Sequence, residues 1–425
     1  MKLIVRPSRL RGEIAVAGSK SHTIRGIAAA LCATGRSILR YPLDSADTRA
    51  ALNAALAFGA EVEEYPDRWE IGGRGGRFRD PGRVVDLANS GTGLVIMTGL
   101  AGLQDFRIVF DGDDSLRSRP VSGVTDALAA LGAKIEYLGK PGHPPFAVTG
   151  PVHGGAARVD GRTSQYLSSL LLALPQAAGE SVLSLDYLNE APYVDITAAW
   201  LDALNVRREG SANKLHWRIP GNQRIPIFDR VVPADFSTAA FPLVAAATAG
   251  EGVTIRNLDF SDTQGDKAVF GFLERMGARL EYGPELLVAP AHQPLKGCEI
   301  DLNATPDALP VLSAAAALAE GETRLVNVPQ ARLKECDRIA VSAQEFSRFG
   351  IGVEELADGL VIHGGKLRGA HFDSRGDHRI AMALAVAALS ADGESVIEGA
   401  ECIGVSYPDF YADFRKIGAD FSLES

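Results

Sequence analysis

The stretch that decides the fold is Gly18–Ala33, with the sequence GSKSHTIRGIAAALCA. A polar loop leads directly into small apolar residues, which predicts a buried helix that begins near Lys20. The free backbone N–H groups of the first turn carry partial positive charge, and Lys20, Ser21 and Arg25 lie beside them in the sequence. This combination predicts an anion site that suits a phosphate group. A capped helix start with two solvated cations is the alternative for this stretch alone.

The same design returns five more times along the chain. Six runs rich in alanine, leucine and valine each follow a polar segment, and the segments recur about every 70 residues. The segments are Gly18–Arg25, Asn89–Thr92, Thr163–Gln165, Asp235–Thr238, Thr305–Asp307 and Asp377–Arg379. Because the apolar runs have little polar face, we expect six buried helices, each with a polar segment at its first turn.

A signal for a helix end followed by a strand recurs with the same interval. Glycine or asparagine stands after a bulky residue at positions 59, 132, 205, 277, 350 and 418. These residue types let a helix end enter the left-handed region and turn into a strand. More amphipathic helices are predicted to lie between the buried helices and these positions. The sequence therefore predicts six repeats of strand, buried helix, strand, exposed helix and one or two strands.

The composition fits a globular chain with anionic small molecules as partners. The net charge of −10 argues against nucleic acid or an anionic membrane surface as the main partner. The apolar runs are too short to span a bilayer, and residues 1–11 lack the apolar core of a signal peptide. The four cysteines are widely spaced, so we expect reduced thiols in the cytoplasm and neither a disulfide framework nor a zinc site.

Two lobes of three repeats each are predicted from the proline-containing segment 218–236. The predicted domains are residues 1–16 with 232–425, a lobe that contains both termini, and residues 17–231, with crossings near 14–18 and 225–235. The first strand, Lys2–Val5, could pair with either lobe. If the first turns of the buried helices face one cleft, their dipoles would attract anions despite the net charge.

Several motifs in combination resemble the 5-enolpyruvylshikimate-3-phosphate synthase family, over about residues 2–423. They are Gly18–Ser21 with Arg25, Asn89–Thr92, Leu116–Pro120, Thr163–Gln165, Pro306–Ala308, Leu333–Arg338 and Asp377–Arg379. The resemblance implies an α/β fold, the two-lobed inside-out α/β barrel of six βαβαββ units, three per lobe. It also implies a 3-phosphoshikimate 1-carboxyvinyltransferase. Such an enzyme transfers the enolpyruvyl group of phosphoenolpyruvate to the 5-hydroxyl of shikimate 3-phosphate and releases phosphate, in the shikimate pathway to aromatic amino acids.

The resemblance implies roles for individual residues as well. Asp307 would take the hydroxyl proton, and Glu335, with Lys20, would handle protonation at the enol methylene. The implied phosphoenolpyruvate contacts are Lys20, Gly91, Arg119, Gln165, Arg338 and Arg379. The implied shikimate 3-phosphate contacts are Ser21, Arg25, Thr163, Ser164, Asp307 and Lys334. No metal or organic cofactor is implied, and we expect a cytoplasmic monomer with two small anionic substrates.

Four positions depart from the family pattern. Val95 stands where many members carry arginine, Val405 where many carry lysine, and Gln330 where asparagine is usual. Glu190 replaces a hydroxyl residue that usually helps to hold the shikimate phosphate, and an acid there is unfavourable unless it turns away or pairs with a cation. Gly91 is retained where herbicide-tolerant members often carry alanine, which predicts inhibition by glyphosate.

Other functions compete with this interpretation. An enolpyruvyl transferase that acts on UDP-N-acetylglucosamine usually needs a reactive cysteine in the loop that is 112–120 here, and this loop has none. An enolpyruvyl transferase with another phosphorylated cyclic alcohol as acceptor is suggested by Glu190 and Val95. A non-catalytic anion-binding protein would bind the same ligands without turnover.

Overall fold

The structure, a computed structural model, describes residues 1–290 and 294–424. The chain divides into two compact units. Unit 1 consists of Met1–Ala17 with Ala234–Ser425, and unit 2 consists of Gly18–Pro233. Within the described residues, every helix falls short of the length and apolar character that a bilayer crossing requires.

The α-helices of the described chain are short to medium in length. They are α1 Lys20–Cys32, α2 Ala46–Ala57, α3 Gly91–Ala101, α4 Asp114–Ser118, α5 Ser122–Ala130, α6 Ser164–Ala173, α7 Ala191–Ala203, α8 Phe236–Ala249, α9 Ala268–Arg275, α10 Leu309–Ala317, α11 Arg338–Ser347, α12 His378–Ala388 and α13 Phe410–Lys416. Short 3-10 helices cover Leu174–Gln176, Gly265–Lys267, Pro306–Ala308, Pro329–Leu333 and Ala400–Val405.

The β-strands alternate with these helices along both units. Those up to residue 231 are β1 Lys2–Arg6, β2 Leu10–Ala15, β3 Arg36–Arg40, β4 Glu61–Tyr65, β5 Arg68–Gly72, β6 Val85–Asp86, β7 Ile108–Asp111, β8 Lys134–Tyr137, β9 Phe146–Thr149, β10 His153–Arg158, β11 Ala178–Ser184, β12 Glu209–Gly210, β13 His216–Ile219 and β14 Asp229–Val231. The later ones are β15 Gly250–Arg256, β16 Leu280–Tyr282, β17 Leu286–Val288, β18 Glu299–Asp301, β19 Glu322–Val326, β20 Gly352–Leu356, β21 Gly359–His363, β22 His371–Asp373, β23 Ser395–Glu398 and β24 Asp420–Glu424.

The strands of the described residues form six four-stranded sheets, three in each unit. The unit 2 sheets have the strand orders β14-β3-β5-β4, β6-β7-β9-β8 and β10-β11-β13-β12. The unit 1 sheets have the orders β16-β17-β15-β2, β18-β19-β21-β20 and β22-β23-β1-β24. In the sheet built on β6–β9, for example, β6 and β7 are parallel and the other pairs are antiparallel. A helix connects the parallel strands, as such a crossover requires, and this gives the βαβαββ repeat.

Strands from the chain ends complete two of the unit 1 sheets. Strand β1 pairs with β23 and β24, with Leu3 opposite Ile397 and Leu423. Strand β2 lies parallel to β15. The sequence leaves the partner of the first strand open, and the structure assigns it to unit 1. In unit 2, β14 closes the first repeat by pairing with β3.

The buried helices α1, α3, α6, α8, α10 and α12 form the centres of the two units. Their small side chains let neighbouring backbones approach closely. A Cβ atom added to Gly99 of α3 would lie 2.2 Å from Oγ of Ser169 on α6. The Ser169 hydroxyl itself donates to the Val95 carbonyl at 2.6 Å. The glycine therefore sets the distance at which α3 and α6 pack.

Most of the buried helices begin at a capping side chain from a polar segment of the repeat. The capping residues are Ser19, Ser90, Thr163, Asp235 and Asp377. Each accepts a hydrogen bond from a backbone N–H of the first turn, as for Asp377, which accepts from Arg379 at 2.8 Å. Helix α10 instead follows the 3-10 helix that contains Asp307. The polar segments are therefore fixed at the starts of buried helices.

Substitution of Gly99 by alanine tests this packing. We expect Gly99→Ala to lower the free energy of unfolding by about 1–3 kcal/mol, because the new methyl group overpacks the contact with Ser169. Gly271→Ala in α9 is the control, since a Cβ at Gly271 meets no atom within 4 Å. The control should be neutral or stabilising by up to about 1 kcal/mol. Urea denaturation measures both, and equal stabilities would contradict the close approach.

Candidate active site

In unit 1 the candidate residues gather around the guanidinium group of Arg338, whose side chain is 1% exposed. Its Nε atom donates to Asp377 at 2.7 Å. Nη1 donates to Asp307 at 2.8 Å, and Nη2 donates to Glu335 at 2.6 Å. One buried cation therefore positions three carboxylates, and two of them, Asp307 and Glu335, are the predicted catalytic base and acid.

Further cations surround the carboxylate of Asp307. Nη2 of Arg379 lies 3.2 Å from Oδ2, and Nζ of Lys334 lies 3.5 Å from Oδ1. Ser237 at the start of α8 accepts a hydrogen bond from Nη1 of Arg379 at 2.7 Å. Together with Arg338, these groups place three positive charges within 3.5 Å of the carboxylate. Asp307 can thus accept a proton from a hydroxyl group, provided that the hydroxyl reaches it.

The segments of the repeats bring these residues together. Asp307 lies in the 3-10 helix before α10, and Lys334 follows the 3-10 helix before α11. Arg338 is the first residue of α11, and Arg379 lies in the first turn of α12. The starts of three consecutive helices of unit 1 therefore supply the cluster.

Asp377 both caps α12 and neutralises Arg338. Burial alone would raise the pKa of Asp377, but the charge of Arg338 outweighs it, so that the pKa lies below its ordinary value. A lowered pKa in the folded state means that the ion pair stabilises the fold at neutral pH. This contribution is lost as the pH falls through the folded pKa.

Unit 2 contains a second buried guanidinium, Arg25 of α1, which is 1% exposed. Nε donates to Thr197 at 2.7 Å, and Nη2 donates to Ser168 at 3.3 Å and to the Tyr193 carbonyl at 3.0 Å. Nη1 donates to the Ser21 carbonyl at 3.1 Å. Since each of these partners is uncharged, burial lowers the pKa of Arg25 to about 10. Neutral partners leave the positive charge available to attract an anion.

Lys20, also at the start of α1, is held by a carboxylate. Its Nζ atom lies 2.8 Å from Oδ2 of Asp47 in the first turn of α2, and both side chains are mostly buried. A Lys–Asp pair of this kind fixes the direction of the ammonium group. Lys20 therefore has a defined position beside the N-terminus of α1.

Arg119 is held beside the start of α3. Nη2 donates to Oδ1 of Asn89 at 2.8 Å and to the Ser115 hydroxyl at 3.0 Å, and Nη1 donates to the Asn89 carbonyl at 3.3 Å. A Cβ atom at Gly91 would lie 2.9 Å from Nη1. The guanidinium group thus lies directly over Gly91. A side chain at this position would clash with it.

The start of α6 is occupied by the carboxylate of Glu190. Its Oε2 atom accepts hydrogen bonds from Oγ1 of Thr163 at 2.9 Å, Oγ of Ser164 at 3.0 Å and the Ser164 backbone N–H at 3.3 Å. Gln165 donates to the Thr92 hydroxyl at 3.3 Å and so links the starts of α6 and α3.

The structure places every predicted site residue within one of two groups. Unit 2 contains Lys20, Ser21, Arg25, Gly91, Arg119, Thr163, Ser164 and Gln165. Unit 1 contains Asp307, Lys334, Glu335, Arg338 and Arg379. The contacts above join the unit 1 residues into one cluster. In unit 2 they link α1 to α6 through Arg25 and Ser168, and the starts of α6 and α3 through Gln165 and Thr92. The individual roles of these residues remain predictions.

Several residues that hold the site are absent from the sequence-based site prediction. Asp377 and Ser237 lie within polar segments of the repeat, so the repeat itself could have identified them. Asn89 likewise belongs to such a segment. Thr197, in contrast, lies in the middle of α7 and carries no local signal for its contact with Arg25.

The remaining departures from the family pattern lie at ordinary structural positions. Val95 is buried within α3 and packs in the core of unit 2. Gln330 is buried and donates to the Asn303 carbonyl at 3.1 Å. Val405 ends the last 3-10 helix. None of the three brings an additional charge to the clusters described above.

Comparison with known proteins decides the family. The model of the family described as EPSP synthase (3-phosphoshikimate 1-carboxyvinyltransferase) matches residues 4–414. The chain belongs to the EPSP synthase family. A 3-phosphoshikimate 1-carboxyvinyltransferase from Acetivibrio thermocellus is 42% identical, with 99% of both chains covered. One from Ruminiclostridium cellulolyticum is also 42% identical, with 100% of both covered.

Solved structures agree with this assignment. The EPSP synthase from Acinetobacter baumannii superposes with a TM-score of 0.82 at 28% identity, over 99% of this chain and 100% of that chain. The family, the inside-out α/β fold class and the enzyme class predicted from the sequence motifs are therefore confirmed.

The contribution of the buried Arg338–Asp377 ion pair to stability can be tested with Asp377→Asn. This substitution keeps the helix cap and removes the charge. We expect the free energy of unfolding to fall by about 3–5 kcal/mol at pH 7, because Arg338 loses a buried partner. Since the pKa of Asp377 is lowered in the folded state, the difference from wild type should shrink as the pH falls below the ordinary aspartate range.

Asp337→Asn provides the matched control for this experiment. Asp337 caps α11 in the same way but pairs with Arg332 at a partly exposed position. Removal of the Asp337 charge should lower the free energy of unfolding by less than about 1 kcal/mol. Urea denaturation over a pH series gives both values, and equal effects of the two substitutions would argue against the buried pair.

Proposed function

We propose that the two residue groups carry out the reaction of the EPSP synthase family in this chain, and that units 1 and 2 are the two lobes of the enzyme. The reaction transfers the enolpyruvyl group of phosphoenolpyruvate to the 5-hydroxyl of shikimate 3-phosphate and releases phosphate. The full-length family match supports the reaction. The arrangement of Asp307 and Glu335 on one guanidinium group is the observation that carries the residue roles.

The proposed chemistry needs one acid, one base and many cations. Glu335, with Lys20, protonates the methylene carbon of phosphoenolpyruvate, and positive charge develops at the neighbouring carbon. The acceptor hydroxyl attacks that carbon while Asp307 takes the hydroxyl proton. Loss of a methyl proton and cleavage of the bond to the phosphate oxygen then restore the double bond. Neither a metal ion nor an organic cofactor is needed for these steps.

The cations counter the repulsion between two anionic substrates. Lys20, Arg119, Arg338 and Arg379, with Gly91 and Gln165, are assigned to phosphoenolpyruvate, since guanidinium groups pair with carboxylate and phosphate through two parallel hydrogen bonds. Shikimate 3-phosphate is assigned to Ser21, Arg25, Thr163, Ser164, Asp307 and Lys334. The buried charge of Arg25 among neutral partners supports this anion assignment. Fixed cations also stabilise charge that develops during the reaction.

Substitution of the proposed acid and base tests the mechanism. Asp307→Asn and Glu335→Gln should each lower kcat by about 100-fold to 10,000-fold, because a proton transfer in the transition state is lost. Phosphate release from phosphoenolpyruvate and shikimate 3-phosphate measures turnover. Asp392→Asn, at an exposed position of the same unit where the backbone forms an isolated β-bridge with Arg368, is the control and should retain wild-type kcat. Full activity of Asp307→Asn would refute its assignment as the base.

Glyphosate inhibition tests the assignment of Gly91 and Arg119. Millimolar glyphosate should inhibit the wild-type enzyme. In Gly91→Ala the new methyl group displaces Arg119, so we expect weaker inhibition together with a several-fold higher KM for phosphoenolpyruvate. Gly271→Ala should behave as wild type in the same steady-state assays. An undiminished wild-type rate at millimolar glyphosate would contradict the proposal.

A different phosphorylated cyclic alcohol is the second candidate for the acceptor. The observation that favours it is the carboxylate of Glu190 on the hydroxyl groups of Thr163 and Ser164. Turnover with a panel of acceptors, including shikimate 3-phosphate and UDP-N-acetylglucosamine, separates the candidates. A higher kcat/KM for another acceptor than for shikimate 3-phosphate would replace the first proposal.

We also propose that the enzyme acts as a monomer in the cytoplasm. All residues assigned to the reaction come from a single chain, and the four cysteines are unpaired thiols, as expected in a reducing compartment. Light scattering after size-exclusion chromatography tests the first point, and a dimer mass at assay concentrations would overturn it.

A further inference from the structure

Glu190 holds its carboxylate in a buried position at the start of α6. The residue is 2% exposed, and a single carboxylate oxygen accepts hydrogen bonds from both Thr163 and Ser164. A negative charge at the N-terminus of a helix is stabilised by the free N–H groups and the helix dipole. The carboxylate therefore satisfies the same donors that a bound anion would use.

The backbone at Glu190 directs the side chain to this place. The residue has φ 57° and ψ 34°, a left-handed conformation that non-glycine residues rarely adopt, and α7 begins directly after it. Such a conformation costs about 1–2 kcal/mol for an L-residue, so the surrounding contacts have to stabilise it. The hydrogen bonds to Thr163 and Ser164 are contacts of this kind.

The same segment also contacts the buried cation of unit 2. Arg25 donates to the carbonyl of Tyr193, three residues after Glu190, and to Ser168 in the second turn of α6. Glu190 thus lies in the segment that joins the proposed phosphate contacts to the proposed anion-attracting guanidinium group.

We infer that Glu190 determines specificity at the acceptor site, as a resident anion that the phosphate monoester of the acceptor displaces from Thr163 and Ser164. The inference rests on the proposed function, in which these two residues contact the acceptor phosphate. Two anions cannot share the same donors at contact distance, because like charges repel and the hydrogen bonds are already used. The affinity for the acceptor then depends on how strongly its phosphate binds Thr163 and Ser164 compared with the carboxylate of Glu190.

Glu190→Gln tests this displacement, since it keeps the size and an acceptor oxygen and removes the charge. Isothermal titration calorimetry with shikimate 3-phosphate, without phosphoenolpyruvate, should give a Kd about tenfold lower than that of wild type. Inorganic phosphate, used as a second probe, should also bind more tightly. In steady-state assays, the KM for shikimate 3-phosphate should fall while the KM for phosphoenolpyruvate stays unchanged.

Asp202→Asn is the matched control, because it removes one negative charge from an exposed side chain of α7. Its Kd for shikimate 3-phosphate should equal that of wild type. Thermal unfolding verifies that both variants are folded. Glu190→Ser restores the hydroxyl of the family pattern and serves as a second variant, for which we also expect a lower Kd for shikimate 3-phosphate.

The outcomes separate this inference from the proposed function. Tighter binding by Glu190→Gln and Glu190→Ser supports the displacement. Equal, weaker or undetectable binding in both variants overturns it, even if the wild type turns over shikimate 3-phosphate. Absence of wild-type turnover with both substrates present overturns the proposed function, whereas the calorimetric comparison does not depend on turnover.

Discussion

A single buried guanidinium group, that of Arg338, determines the arrangement of the unit 1 site. Removal of a charge from water costs several kcal/mol, and only well-placed opposite charges offset that cost. Arg338 has three such partners, each on a different nitrogen atom: Asp307, Glu335 and Asp377. The interaction is reciprocal, because the three carboxylates would repel one another without the cation. The hydrogen bonds to Arg338 therefore position the proposed acid and base and also offset the cost of placing their charges close together.

The two units share one architecture, but their buried guanidinium groups, Arg338 and Arg25, have different electrostatic surroundings. Both bury helices of small residues and place a polar segment at the first turn. In unit 1 the cations near those first turns meet carboxylates, as Arg379 meets Asp307. In unit 2 the buried Arg25 meets only neutral oxygen atoms among its hydrogen-bond acceptors. The carboxylates around Arg338 compensate its charge, whereas the hydrogen-bond partners of Arg25 leave its charge uncompensated.

Local signals in the sequence predict much of this structure. A capping residue such as Ser90 or Asp377, followed by small apolar residues, specifies a buried helix start, and repetition of that pattern gives the βαβαββ unit. Contacts between distant segments carry no such signal. The direction of Glu190 depends on a left-handed backbone conformation that glutamate does not favour. Likewise, nothing in β1 itself indicates β23 and β24 as its partners.

The position of β1 and β2 has a consequence for biosynthesis. These strands are translated before the rest of unit 1, but β1 pairs with β23 and β24, the last strands of that unit. About 400 residues must still be translated, which takes roughly 20–80 s at common elongation rates. Gly18–Pro233 is continuous in sequence and can fold while translation proceeds. Strand β1 therefore remains unpaired with its final neighbours until β23 and β24 have been translated, whereas β15, the partner of β2, is translated well before them.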